Sequence, residues 1–107
     1  MIFNRAIVAV AFLVAASTSL ADGVMKGDAA AGEALVASCT ACHGADGNSL
    51  APTFPKLAGL GERYLLKQMK DIRDGRRPVA LMAGQVDNMT DQQLADIAAF
   101  YDAQTRT

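Results

Sequence analysis

Cys39-Thr40-Ala41-Cys42-His43 is the stretch around which the rest of the chain is organised. Cysteines three positions apart, followed directly by histidine, form the pattern by which a c-type haem is attached to a polypeptide. The thiols can add to the vinyl groups of one haem, and the adjacent imidazole is then held beside the iron. The pattern predicts one covalent haem c, with thioether bonds at Cys39 and Cys42 and His43 as an axial iron ligand.

Other sites can also use such a cysteine pair. A redox dithiol of the thioredoxin kind needs a βαβ pattern around it, and a structural zinc site needs further cysteine or histidine ligands. Cys39 and Cys42 are the only cysteines of the chain, and His43 is its only histidine. The sequence therefore favours haem attachment over a dithiol, a zinc site or a coincidental pair.

The first residues have the features of an export signal. Arg5 provides a positive start, residues 6–16 form an apolar run, and Ser19-Leu20-Ala21 resembles a cleavage site. The run is short for a membrane span of about 20 residues. We expect residues 1–21 to be a Sec signal peptide and residues 22–107 to form one domain. A retained N-terminal anchor is the alternative interpretation.

Export of this kind predicts a periplasmic protein of a Gram-negative bacterium, with no stable membrane insertion after signal cleavage. Because an exported compartment is oxidising, the cysteine pair would tend to form a disulfide there. Haem attachment must compete with that reaction, so we expect a cytochrome c maturation system to act on the chain.

The charge balance argues against a nucleic-acid partner. The whole chain has 10 basic and 11 acidic residues, which gives a formal net charge of −1. The exception is the stretch 56–77, where basic residues exceed acidic ones. Such a run is usually a solvated helix face. Steering of an acidic redox partner is a secondary interpretation.

Apolar periodicity and capping signals predict three main helices and no strand, which is an all-α fold. The first helix is expected from Ala29 to about Ala41, capped by Asp28, with Gly32 facing the last helix. The second runs from Glu62 to about Asp74 and ends at Gly75. The last begins after Thr90, which forms a capping box with Gln93. Residues 44–59 and 79–88 are predicted loops.

The sixth iron ligand is predicted by elimination. Met25 lies among the first residues of the processed chain, where ordering is costly. Met69 falls on the apolar stripe of its helix, and Met89 precedes the Thr90 cap, where an apolar residue packs as a hydrophobic staple. Met82 lies in an apolar loop and has no such role. Since methionine and histidine together ligate haem c iron, Met82 is predicted to be the second axial ligand.

An imidazole bound to metal generally donates its other N–H to a nearby acceptor. The backbone carbonyl of Pro52, in the loop after the haem motif, is the candidate acceptor for His43. From spacing alone, a purely turn-forming role for Pro52 is an equal alternative.

The sequence resembles the class I c-type cytochromes, and within them the haem domains of cytochrome c4 and its single-haem c553-type relatives. The resemblance rests on Gly27-Asp28, on Gly32, on the stretch 39–43 and on Ile97-Ala98-Ala99-Phe100. It implies a small cytochrome c fold, with three main helices and loops wrapped around one haem. It also implies that the first and last helices cross at Gly32 and Phe100.

The same resemblance bears on two site residues. In that family the axial methionine lies eight residues before the cap of the last helix, which here is Met82. The family's proline after the haem motif, whose carbonyl accepts from the proximal histidine, corresponds to Pro52. Cytochrome c4 has two haem domains, whereas this chain has one haem motif, so partner docking does not transfer from the resemblance.

With both axial positions filled, the expected function is one-electron transfer and not enzyme catalysis. The expected partners are respiratory redox proteins, such as a membrane quinol-oxidising complex or a terminal oxidase. The alternatives are a haem-based gas sensor or small peroxidase with a labile sixth ligand, and a haem subunit of a larger oxidoreductase.

Overall fold

A computed structural model describes Ala9 and residues 25–107 of the chain. The predicted signal peptide, residues 1–21, lies outside the described residues apart from Ala9. Within the described part of the chain, no helix is both long and apolar enough to cross a membrane.

The fold is built from four α-helices and one short 3₁₀ turn. They are α1 (Ala29–Glu33), α2 (Ala37–His43), α3 (Glu62–Arg73), the 3₁₀ turn Ala80–Met82 and α4 (Asp91–Asp102). Residues 25–107 contain no strand. The predicted all-α class is therefore confirmed, and the predicted loop 79–88 contains one 3₁₀ turn.

The predicted first helix is wrong in one respect, because it is two helices separated by a turn. At the end of α1 the backbone N–H of Leu35 donates to the carbonyl of Gly32, only three residues back, at 2.9 Å. Val36 then precedes α2 and is buried, with 6% of its surface exposed. Gly32 lowers the local helix propensity, and the interruption also lets Val36 pack into the core, so both contribute to the break.

The helix ends follow the capping signals. The Asp28 carboxylate accepts from the backbone N–H of Ala30 at 3.0 Å and of Ala31 at 3.4 Å. At α4, the Thr90 hydroxyl accepts from the N–H of Gln93 at 3.1 Å, and the Gln93 side chain accepts from the N–H of Thr90 at 3.0 Å. Both predicted caps are confirmed, and the capping box fixes where α4 starts.

Gly27, before α1, and Gly32, within it, bring the backbone of this segment into direct contact with the backbone of α4. A Cβ built on Gly32 would overlap the carbonyl group of Asp96, which confirms that this glycine faces the last helix. Gly27 makes a second close approach, since a Cβ there would overlap the carbonyl of Ala95. The atoms nearest Gly32 thus belong to Asp96 and Ile97, one turn before Phe100, the residue that the resemblance paired with it.

The hydrophobic core lies between α4, α3 and the loop before α4. Tyr101, Leu94, Ile97 and Val86 are its largest fully buried side chains. Met69, Met82, Met89 and Leu57 are among the partly buried residues that pack against it. Because α4 contributes most of the core, its register determines which side chains face the rest of the molecule.

Most cations of the basic stretch are neutralised by ion pairs around the end of α3. Lys67 and Arg76 pair with Asp71 at 2.6 and 2.9 Å, and Arg73 pairs with Asp74 at 2.8 Å and Asp91 at 2.7 Å. The Asp91 pair joins the end of α3 to the start of α4. Such a solvated, ion-paired helix face agrees with the simpler of the two interpretations of the charge run.

Candidate cofactor site

A cleft of about 390 Å³ opens on the described part of the chain and is bounded by α2, α3, α4 and the loops between them. Its volume lies in the range of small-molecule and cofactor pockets. The walls are mainly apolar, and they include four of the five predicted site residues, Cys39, Cys42, His43 and Met82; Pro52 is not among the lining residues.

Helix α2 presents the haem motif to this cleft. Cys39, Cys42 and His43 occupy positions i, i+3 and i+4, which share one face of a helix, and all three line the cleft. Both cysteines are free thiols, Cys42 being exposed and Cys39 partly buried. Burial raises the pKa of the Cys39 thiol. The thiols and the imidazole can therefore reach one and the same group in the cleft.

The imidazole of His43 has a fixed orientation. The residue is buried, with 7% of its surface exposed, and its Nδ1 lies 2.8 Å from the backbone carbonyl oxygen of Pro55. The ring of Phe54 packs against it edge to face, with 6.4 Å between ring centres. Since a carbonyl only accepts, Nδ1 carries the proton that it donates, and Nε2 is left with a lone pair for a metal.

The acceptor assignment to Pro52 is therefore wrong, because the carbonyl that receives the histidine proton belongs to Pro55. Pro52 follows Ala51 in a turn closed by a hydrogen bond of 3.1 Å from the Phe54 N–H to the Ala51 carbonyl. Proline at the second position of a turn sets the backbone direction. Pro52 thus has the turn-forming role, and Pro55 is the proline that lines the cleft.

Two methionines line the cleft, Met69 from α3 and Met82 from the 3₁₀ turn, and both are partly buried. Met25 and Met89 are not among its lining residues. The backbone of Met82 is held on both sides, because its N–H donates to Val79 at 3.0 Å and its carbonyl accepts from Gln85 at 3.1 Å. The segment that presents Met82 is therefore fixed, although the sequence around it has no helical periodicity.

The hydroxyl of Tyr101 is an unexpected feature of the cleft. Tyr101 has only 1% of its surface exposed, yet its Oη has no hydrogen-bond partner among the described residues. Burial raises its pKa far above the ordinary tyrosine value, so the hydroxyl stays protonated. An orphaned buried donor in an apolar cleft indicates that a further group with an acceptor belongs there.

The residues present fit a haem better than a simple metal ion. In residues 25–107 no group of three or more histidine, cysteine or acidic side chains is placed to hold a metal, whereas a structural zinc site needs four such ligands. The cleft instead offers extensive apolar walls, a pair of thiols, one imidazole and thioether sulfurs. That donor set matches a flat apolar cofactor bound covalently at one edge.

The sequence-based analysis missed Pro55 and Tyr101. Pro55 was visible as a second proline in the same loop, but spacing could not rank two prolines three residues apart. The sequence places Tyr101 on the last helix without distinguishing its hydroxyl from the apolar residues around it. Its position beside the partly buried Cys39 joins residues far apart in the sequence, so no local signal predicts it.

Residues 29–102 match the family model described as "Cytochrome c", which covers the haem motif, the cleft and all four helices. The chain belongs to the cytochrome c family. It is 68% identical to cytochrome c4 of Pseudomonas aeruginosa over 78 residues, which are 73% of this chain and 39% of that protein. It is also 47% identical to cytochrome c-554(548) of Halomonas halodenitrificans, over 73% of this chain and 98% of the relative.

A solved structure agrees with these relatives. Reduced recombinant cytochrome c4 from Pseudomonas stutzeri superimposes with a TM-score of 0.74 and 53% identity, covering 76% of this chain and 47% of that one. The protein is thus a class I c-type cytochrome of the c4 type, and its cofactor is covalent haem c. The chain spans less than half the length of the cytochrome c4 chains from the two Pseudomonas species.

Proposed function

We propose that this c-type cytochrome is a periplasmic one-electron carrier whose haem iron is ligated by His43 and Met82. The observation that carries the proposal is that one cleft is lined by both of these side chains and by both cysteines of the haem motif. Bound haem c supplies an iron that changes between the ferrous and ferric states. A site filled on both faces leaves no place for a substrate, so electron transfer is the chemistry that remains.

The protein's part in this chemistry is to hold the ligands still. The Pro55 carbonyl fixes the ring plane of His43 and increases the electron density of the imidazole. The thioether of Met82 is a soft ligand that favours ferrous iron, and the apolar walls disfavour the extra charge of ferric iron. We expect the methionine and the walls to raise the reduction potential, against a smaller opposing effect of the histidine hydrogen bond.

Met82 is preferred to Met69 as the sixth ligand for two reasons. Met69 lies on α3, where the apolar stripe that includes Leu65 already explains it as a packing residue. Met82 also packs against the core, but it belongs to no helical apolar stripe, and its position eight residues before the Thr90 cap matches the family pattern. Its segment is also held by backbone hydrogen bonds on both sides, which keeps a ligand in place in both oxidation states.

Electron exchange with partners requires an approachable cofactor edge. Leu60, Tyr64 and Leu81 line the cleft and are exposed by 36%, 51% and 64%, so they form an apolar rim at its opening. We propose that this rim is the contact surface for redox proteins such as a quinol-oxidising complex or a terminal oxidase. Since most neighbouring cations are ion-paired, apolar contact and not charge would dominate the docking.

The decisive experiment compares absorption spectra of the native protein, Met82→Ala and Met69→Ala in both oxidation states. Native protein and Met69→Ala should show the long-wavelength sulfur-to-iron band when oxidised, and neither should bind carbon monoxide when reduced. Met82→Ala should lose the band and bind the gas. Gas binding by the native protein would instead support a sensor or small peroxidase. Gel filtration of native extract separates a free carrier from a subunit of a larger oxidoreductase.

A further inference from the structure

Among the described residues, the Tyr101 hydroxyl is the only buried side-chain nitrogen or oxygen group without a hydrogen-bond partner. Tyr101 is 1% exposed and lines the cleft. A buried hydroxyl without an acceptor is destabilising, and native proteins rarely keep one. The hydroxyl therefore indicates a partner that the site acquires when haem is attached.

The side chain of Tyr101 cannot turn away to find an acceptor elsewhere. Its ring packs edge to face on Phe100, with 5.2 Å between ring centres, and a Cβ built on Gly47 would overlap it. Its backbone carbonyl accepts from the N–H groups of Gly59 and Gln104, each at 3.1 Å. Because both ring and backbone are fixed, the acceptor must lie where the hydroxyl already is.

The polar side chains beside this hydroxyl belong to Cys39 and Thr40 of the haem motif. The Thr40 hydroxyl donates its proton to the Val36 carbonyl at 3.0 Å, and haem attachment does not change that group. The Cys39 thiol is in contact with Tyr101 without forming a hydrogen bond. Burial is the main cause of the raised pKa of each of these two groups, and contact with the other is a further influence.

The bonding of the Cys39 sulfur is what haem attachment alters. The S–H bond breaks, the sulfur binds one carbon of a vinyl group, and a proton is added to the other carbon, so no net oxidation occurs. A thiol is a weak donor as well as a weak acceptor. A thioether sulfur has no proton and can only accept. A donor fixed beside it then has a suitable partner.

We propose that the Tyr101 hydroxyl donates a hydrogen bond to the thioether sulfur of Cys39, an assignment that rests on the haem site described above. Cys42 is exposed, so the two thioethers differ in their surroundings, and only the one at Cys39 is held by a buried donor. The bond draws electron density from the sulfur and the attached haem edge, which favours ferrous iron. Tyr101 is thus a positioning residue that also raises the reduction potential.

The substitution Tyr101→Phe removes the hydroxyl and keeps the ring. Loss of a buried hydrogen bond should increase the unfolding equilibrium constant of the haem-loaded protein roughly fivefold, and the reduction potential should fall. If the hydroxyl had no partner in the haem-loaded protein, phenylalanine would leave the stability unchanged or raise it. The sign of the change in stability therefore separates the two cases.

The matched controls repeat this substitution in two backgrounds that have one thioether each. Cys42→Ala keeps the sulfur beside Tyr101, so both effects of Tyr101→Phe should persist there. Cys39→Ala removes the acceptor, so both effects should disappear. A role of the hydroxyl in packing alone would give the same change in stability in both backgrounds.

The measurements are denaturant unfolding and potentiometric titration, with haem staining of denatured protein to verify covalent attachment. Resonance Raman spectra add a direct test: a carbon–sulfur stretching band of the native protein should shift after exchange into D₂O, and no such band of Tyr101→Phe should. This test needs no cysteine variant, so it decides the assignment if Cys39→Ala does not retain haem.

Two results would overturn the assignment. One is equal effects of Tyr101→Phe in the two single-thioether backgrounds, and the other is a native protein without a deuterium-sensitive carbon–sulfur band. Absence of stained haem in the wild type would instead overturn the proposed function.

Discussion

The Nδ1 atom of His43 lies 2.8 Å from the carbonyl oxygen of Pro55, so the histidine of the haem motif is oriented by the loop that follows it. Hydrogen bonding of this kind makes the imidazole a stronger donor to iron and stabilises the ferric state. If His43 ligates the iron as proposed, the loop thereby influences the electron affinity of the site through a backbone carbonyl.

This contact predicts different effects for two prolines of the same loop. Pro55→Ala keeps the carbonyl but relaxes the backbone that aims it, so the hydrogen bond should weaken and the reduction potential should rise. Pro52→Ala is the matched control and should leave the potential unchanged, because its carbonyl does not contact His43. Potentiometric titration of both variants makes the comparison. Equal shifts in the two variants would contradict the assignment to Pro55.

The close contact between Gly32 and α4 predicts a large loss of stability for Gly32→Ala. The added methyl group would overlap the backbone of Asp96, which cannot move aside as a side chain can. Overpacking of this kind costs roughly 1–3 kcal/mol or more. In Gly75→Ala, the control, nothing lies within 4 Å of the added atom and only the φ of +79° is unfavourable.

That second substitution should cost about 1 kcal/mol, the usual penalty for a left-handed non-glycine residue. Denaturant unfolding of the two haem-loaded variants gives both values. If Gly32→Ala were no more costly than Gly75→Ala, the backbone contact between the segments would have to be looser than described.

The ion pair between Arg73 and Asp91 predicts an acid-sensitive contribution to stability. Their hydrogen bond, at 2.7 Å, holds the pKa of the Asp91 carboxyl below its ordinary value. A carboxyl group whose pKa is lower in the folded than in the unfolded protein stabilises the folded state at pH values above its unfolded pKa, which is about 3.9. This contribution is lost as the pH falls through the pKa of the folded protein. The pair is partly exposed to solvent, so the effect should be modest and decrease with added salt.

Melting temperatures of the wild type and Asp91→Asn should therefore differ at neutral pH and converge below about pH 4. The matched comparison is the same substitution in an Arg73→Gln background, where replacing Asp91 should have a smaller effect. A difference that persisted unchanged in acid, or in the Arg73→Gln background, would contradict the role given to this pair.

The apolar rim of the cleft predicts a kinetic phenotype. Leu81→Glu places a carboxylate where we propose that a partner docks, and burying that charge without a partner costs at least about 1 kcal/mol. The second-order rate constant with a native oxidase should fall by about tenfold. Leu50→Glu is the control, because Leu50 is fully exposed and does not line the cleft. Equal rates for the two variants, at matched ionic strength, would exclude the rim as the docking surface.

The features that were predicted correctly depend on residues that lie close together in the sequence. The haem motif, the Asp28 cap and the Thr90 capping box each depend on residues within one helical turn, and all were found where expected. Gly32 was also predictable, because a glycine inside a helix needs a packing reason.

The rest depends on contacts between distant segments. The break before Val36 depends in part on core packing, which the sequence of this stretch does not indicate. Pro52 and Pro55 could be distinguished only once the turn at 51–54 was formed. Lys70 and Arg73 form ion pairs with Asp91 of another helix, and spacing along the chain could not show these contacts.

The contacts of Gly27 and Gly32 have a consequence for how the polypeptide could be divided. At these two glycines the backbone of the N-terminal segment contacts the backbone of α4 directly. The two segments can therefore associate even when the chain that connects them is cut. A chain cut within the loop 44–59 would yield one fragment with both cysteines and another with α3 and α4. Those fragments should reassemble into a noncovalent complex, with the haem tethered to the shorter fragment and covered by the longer one.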